Sequence, residues 1–227
     1  MTAKDMFSHR VSILTGHYGT GKTEVSVNLA LALAAEGEQV MLADLDIVNP
    51  YFRSRERRPL REKAGVGVIS SSQACSDADV PALPAELLTI LENREIRGIL
   101  DIGGDPVGAR VLARFQPKIV QEDYQLIFVL NANRPEVRDA ESAAAYLRSI
   151  EAVTGLTCSG LVNNTHLCGE TTPAEIRKGA ALAQEVSRQT GIPILCHTAE
   201  RRFLESLSDL GEPVFPIAIN MKKPWER

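Results

Sequence analysis

Gly16-His17-Tyr18-Gly19-Thr20-Gly21-Lys22-Thr23 is the stretch on which the fold turns. It fits G-x-x-x-x-G-K-[ST] and has the flanks that pattern requires: the apolar run Val11-Ser12-Ile13-Leu14 before it and a helical run after it. Glycines at 16, 19 and 21 let the chain turn tightly, so that the N–H groups of Gly16 to Thr23, those of His17, Tyr18 and Thr20 included, face phosphate oxygens. The helix that follows adds the positive end of its dipole. Lys22 is expected to reach the β- and γ-phosphates, and the Thr23 hydroxyl to bind Mg²⁺.

Two acidic strand ends extend the site. In Ala43-Asp44-Leu45-Asp46, carboxylates at i and i+2 point the same way, toward the crevice outside the carboxyl ends of the strands. Asp44 is expected to orient an attacking water and Asp46 to join the metal shell, both counting as catalytic together with Lys22. In Ile99-Leu100-Asp101-Ile102-Gly103-Gly104, Asp101 is placed for the Mg²⁺ shell and the Gly104 N–H for the γ-phosphate.

Outward from these motifs, short β-rich runs alternate with longer helical patterns, the arrangement of a mostly parallel sheet with helices on both faces. Strands are expected at Arg10–Thr15, Gln39–Ala43, Val66–Ser70, Gly98–Ile102, Leu126–Asn131, Ser159–Asn163, Ile192–Cys196 and Val214–Ile219. Helices are expected at Lys22–Glu36, Pro84–Asn93, Val107–Ile119, Glu136–Thr154, Pro173–Thr190 and Ala199–Leu210. Leu126-Ile127-Phe128-Val129-Leu130 is apolar without alternation and reads as a strand buried on both faces. The fold class is therefore α/β: a three-layer α/β/α domain with a twisted, mostly parallel sheet of about seven or eight strands, read as one domain over residues 1–227. Ser70–Pro84 reads as a loop or lid.

The 227 residues carry 25 Lys and Arg against 29 Asp and Glu, a net charge of −4 that argues against nucleic-acid binding over the whole surface. Arg53–Lys63 stands apart, with six basic against two acidic residues; its local +4 leaves −8 elsewhere and reads either as a solvated helix or loop or as a surface for an unidentified acidic protein partner or, less in keeping with the overall charge, nucleic acid. Cys75, Cys158, Cys168 and Cys196 are scattered, as reduced cytosolic thiols are, and lack the close spacing of a metal or cluster site. Without a signal-like amino terminus or an apolar run of about 18 residues, the chain is expected to be cytoplasmic. The polar ending Ile219–Arg227 is too short for an amphipathic membrane anchor, so membrane association is not expected.

At these motifs the sequence resembles the MinD/ParA/Mrp-type branch of P-loop nucleotidases, also described as the CobQ/CobB/MinD/ParA nucleotide-binding domain. The resemblance covers most of the chain: the phosphate loop, the Asp44–Asp46 switch, Asp101–Gly104, Asn131-Ala132-Asn133-Arg134-Pro135 and the late Leu161-Val162-Asn163-Asn164. It implies the P-loop nucleoside triphosphatase fold, adenine contact by Asn163 or Asn164, and an ATP-sandwiched homodimer as the active form. One departure is that relatives carry a signature lysine after the first glycine, where His17 stands here. Three readings stay open: an inert loop residue, a weak donor to phosphate, or replacement by Arg53, Arg110 or Arg134. Base choice favours adenine, because Asn163-Asn164-Thr165-His166 lacks the carboxylate of a guanine site.

These readings converge on a Mg²⁺-dependent, ATP-binding protein with slow ATPase activity that acts as a nucleotide-driven switch between dimer or partner states. The alternatives are an ATP-dependent biosynthetic enzyme that activates a small carboxylate, like dethiobiotin synthetase or cobyrinate amidase, and a nucleotidase of metallocentre assembly.

Overall fold

The computed structural model describes residues 1–45, 65–70 and 85–220. Asp46, Asn49, Arg53–Lys63 and Cys75, and with them the second switch carboxylate, the basic segment and most of the expected lid, lie outside the described residues. The elements run, in chain order, α1 (Ala3–Met6), β1 (Val11–Thr15), α2 (Lys22–Ala35), β2 (Gln39–Asp44), β3 (Gly67–Ser70), α3 (Ala85–Glu92) and β4 (Ile96–Asp101). They continue with α4 (Pro106–Ala109), α5 (Gln116–Ile119), β5 (Tyr124–Leu130), α6 (Ala140–Thr154), β6 (Cys158–Asn163), α7 (Pro173–Thr190), β7 (Ile194–Glu200) and β8 (Val214–Ile217).

The eight strands among the described residues join one parallel sheet in the order β3-β2-β4-β1-β5-β6-β7-β8. β5 shows why its apolar run has no polar alternation. Leu126, Phe128 and Leu130 enter the core shared with α3, α6 and α7, whereas Ile127 and Val129 enter the core shared with α1 and α2. Burial on both faces removes the reason for polar positions. α2 is likewise enclosed: Val25, Ser26, Val27, Asn28, Leu29, Ala30 and Leu33 are all buried, so it lacks the polar face of a surface helix. β1 lies near the middle of the sheet, between β4 and β5, and its carboxyl end opens where connections depart to both sides, the place where open α/β sheets bind ligands.

Three expected helices come out differently. Val107–Ile119 is broken into α4, a 3₁₀ turn at Arg110–Arg114 and α5, because Pro117 donates no N–H and its ring clashes with a continuing helix; it fits only in the first turn of a new one. Ala199–Leu210 is not a helix. β7 runs on to Glu200 by pairing His197–Glu200 with Val214–Ile217, and two single 3₁₀ turns follow. There the Ser206 and Ser208 hydroxyls donate to the carbonyls of Phe203 and Glu205, which draws the backbone away from a longer helix. α6 starts at Ala140 rather than Glu136, because the Asp139 carboxylate accepts from Ser142 N and caps it there. α1 was not expected; Thr2 and Asp5 form a capping box around it.

Candidate functional site

The loop from Gly16 to Thr23 leaves β1 and enters α2. Gly16, at φ +141°, presses against β5 so closely that a Cβ would lie 2.4 Å from the Val129 carbonyl oxygen, which excludes any side chain. Gly21 stands at the α2 N-cap in the left-handed region, φ +81°. Inside the loop, the Thr20 hydroxyl donates to the His17 carbonyl at 2.9 Å, and the buried Lys22 amine donates to the same oxygen at 3.3 Å. The lysine is therefore folded over its own loop, where phosphate oxygens would compete for it.

Register brings the acidic residues to this loop. Asp101 pairs with Leu14 of β1 on one side and with Asp44 of β2 on the other, so both carboxylates end their strands level with the loop's entry, and both are almost fully buried. Thr23 Oγ1 donates to Asp101 Oδ2 at 2.5 Å. A hydroxyl and a carboxylate side by side are hard oxygen donors, the set Mg²⁺ takes, so these residues fit the ion. Gly104 follows, packed so tightly that a Cβ would come within 2.8 Å of the Tyr18 backbone and 2.9 Å of Lys22 Nζ. The structure thus gathers Gly16, His17, Tyr18, Gly19, Thr20, Gly21, Lys22, Thr23, Asp44, Asp101 and Gly104 at one sheet end.

The two asparagines part company. Asn164 Nδ2 donates to Thr20 O at 2.7 Å while its Oδ1 accepts from Thr198, so it ties β6 and β7 to the loop. Asn163 is fully buried: its Nδ2 donates to Ile176 O and meets His197 Nδ1 at 3.2 Å, and its Oδ1 accepts from Thr165 N. Asn164 is thus at the loop, whereas Asn163 braces the interior behind it.

His17 is held within its own chain. Its ring stands edge-on to Tyr146, with centroids 5.1 Å apart, and Nδ1 lies 3.2 Å from Tyr18 O and 3.7 Å from Glu136 Oε2. Of the basic residues considered in place of the signature lysine, Arg134 is at the loop, its Nε donating to Gly19 O at 2.8 Å. Two further residues line the site. Tyr146 donates from its hydroxyl to Gly104 O, and burial, with Asp105 and Glu136 nearby, pushes its phenol up to about 12, so it stays a donor. His166 lies beside Gly21; burial first, and then the Arg134 cation, hold its imidazolium below the ordinary range. Its carbonyl faces the Asn131 and Asn133 amides. In sequence, Tyr146 is one aromatic on an alanine-rich helix and carries no motif that marks it.

Burial pushes the Cys158 thiol up to about 12 and that of Cys196 up as well, whereas Cys168 is exposed. No group of three or more metal-ligating side chains occurs among the described residues, and none of their helices is long and apolar enough to cross a membrane.

A ParA family profile, described as NUBPL iron-transfer P-loop NTPase, matches residues 6–54, from α1 through the phosphate loop to the switch. No curated protein matches significantly. Among solved structures, the signal recognition particle 54 kDa protein of Aeropyrum pernix K1, in complex with GDP, is 25% identical with a TM-score of 0.53, over 82% of this chain and 40% of that one. The cell division protein FtsY of Thermotoga maritima is 23% identical with a TM-score of 0.53, over 81% of this chain and 59% of that one. Chloroplast FtsY of Physcomitrella patens is 18% identical with a TM-score of 0.55, over 81% and 56%. The matched part of this chain thus corresponds to between 40% and 59% of the length of these proteins. The profile match and these likenesses agree with the sheet order and the loop after β1: the chain has the three-layer α/β/α fold of the P-loop nucleoside triphosphatases, with the nucleotide-binding loop of that fold in place.

Proposed function

We propose that the protein binds ATP with Mg²⁺ and hydrolyses it slowly, and that the state of the γ-phosphate switches a homodimer or partner surface. The observation that carries this reading is the Thr23–Asp101 contact of 2.5 Å at the mouth of the glycine loop. The loop N–H groups and Lys22 bind the phosphates and stabilise charge that spreads over the transferred phosphoryl group. Thr23 and Asp101 hold Mg²⁺, with Asp46 assigned to the same shell by its place in the sequence. An ion held there would supply positive charge to offset the charge that develops on the phosphates. Asp44 orients the attacking water in line with the bond that breaks. Asn164, at the loop, is better placed than Asn163 to report on the base, and adenine is favoured because Asn163–His166 holds no carboxylate. Gly104, packed against Tyr18 and Lys22, offers its N–H to the γ-phosphate and senses its loss.

A second reading, metallocentre assembly, draws support from the description of the matched profile. The ATP switch is preferred because it uses the residues gathered at the loop, whereas metal carriage needs a thiol set that the sequence does not cluster.

Calorimetry and a phosphate-release assay test the reading together. Lys22→Ala should abolish ATP binding. Asp44→Ala should leave binding within a few-fold and lower turnover by roughly 10²-fold or more, the range for a residue that handles the nucleophile. Unchanged turnover in the Asp44 variant removes that residue from its role, and GTP binding tighter than ATP overturns the base assignment.

A further inference from the structure

α6 touches both loops that close on a γ-phosphate. Before its first turn, Arg134 Nε donates to Gly19 O of the phosphate loop, and Glu136 stands 3.7 Å from His17. From its second turn, the Tyr146 hydroxyl donates to Gly104 O, after Asp101. The Tyr146 ring is held by its neighbours, edge-on to His17 at 5.1 Å and tilted against Phe128 of β5 at 6.2 Å, so the hydroxyl has little freedom to leave the carbonyl. Gly104 has no slack on its other side, because Tyr18 and Lys22 fill the place of a Cβ. The Gly104 backbone is thus clamped between the phenol of α6 and the lysine of the phosphate loop.

We propose that Tyr146 is a positioning residue for γ-phosphate recognition: its hydroxyl holds the Gly104 carbonyl so that the backbone of Gly103–Asp105 is already set to meet ATP and not ADP. The inference rests on the ATP reading above and adds to it the residue that sets discrimination between the two nucleotides. A planar trans peptide directs its C=O and N–H to opposite sides. Fixing the Gly104 carbonyl at α6 therefore fixes the Gly104–Asp105 peptide plane; with Gly104 also packed against Tyr18 and Lys22, the Gly104 N–H assigned to the γ-phosphate loses a rotation that would otherwise be arrested only on binding. Because the Tyr146 ring also stands edge-on to His17, α6 meets the phosphate loop and the Gly104 turn through one side chain.

Tyr146→Phe tests this, because it keeps the ring against His17 and Phe128 and deletes only the hydroxyl; Tyr124→Phe, at the opposite end of β5, is the control. Affinities for a non-hydrolysable ATP analogue and for ADP are measured in the presence of Mg²⁺, with thermal midpoints alongside. In Tyr146→Phe the analogue should bind about three- to tenfold more weakly, the range for one net hydrogen bond, with ADP affinity within twofold of wild type. Tyr124→Phe should match wild type. An unchanged ratio of analogue to ADP affinity in Tyr146→Phe overturns the role of Tyr146 while leaving the ATP reading intact. Equal weakening for both nucleotides shows a merely structural hydroxyl and also overturns it. A wild-type chain that binds no nucleotide overturns both.

Discussion

His166 shows how one residue joins local electrostatics to the behaviour of the chain. Its imidazole is held neutral by burial and by Arg134, the arginine that also grips Gly19. In the unfolded chain a histidine takes up its proton near pH 6.5, whereas here the folded chain takes it up only at a lower pH. The folded state therefore binds fewer protons than the unfolded one in the window below about 6.5. Stability is full above that window and is lost as pH falls from the unfolded value through the folded one. Urea midpoints measured from pH 7.5 to 5.5 should fall with acidification in the wild type and fall less steeply in His166→Gln. Parallel slopes would show that another group carries the loss.

At the scale of the element, α6 is the part whose packing and site role are hardest to separate. Its Asp139 cap and the left-handed Gly155 fix its ends, and Ala143, Ala144, Leu147 and Ile150 form its buried stripe. Leu147→Ala removes most of a side chain that is 2% exposed within the larger core and should cost about 2–5 kcal/mol in chemical denaturation, the range for such cavities. A cost well under that range would show that the stripe collapses around the gap. Elements of this kind explain what was legible in the sequence. Eight strands could be read because burial between two helical layers leaves runs such as Leu126–Leu130 without polar residues, and the site could be read because glycine spacing and strand-end carboxylates are local patterns. The misread helices turn on events that local periodicity does not encode: the break at Pro117, the serine hydroxyls after β7 and the pairing of β7 with β8. Tyr146 escaped for the same reason, since its hydroxyl finds a carbonyl 42 residues earlier in the chain.

At the scale of the whole molecule, the exposed apolar side chains bear on the proposed dimer. Tyr18, Val107 and Leu167 are large hydrophobics left 52%, 71% and 44% exposed; Tyr18 and Leu167 come from the loops after β1 and β6 and Val107 from α4, which follows β4, all at the sheet end where the phosphate loop opens. A partner that closed over the nucleotide would cover this rim, and apolar area removed from water contributes about 25 cal/mol per Å². In the proposed switch the partner closes only over ATP, so association should follow the nucleotide and not protein concentration alone. In sedimentation, the hydrolysis-deficient Asp44→Ala chain with Mg²⁺ and ATP should shift from the 24.7 kDa monomer toward about twice that mass, and ADP should leave it monomeric. Val107→Glu, placed on the rim and away from the phosphate contacts, should keep ATP affinity within about twofold and abolish the shift, because it sets a charge in what would become a dry contact. A chain that stays monomeric with saturating ATP would remove the dimer from the mechanism and leave the switch to act on a different partner, whereas a Val107→Glu chain that still associates would move the interface off this rim.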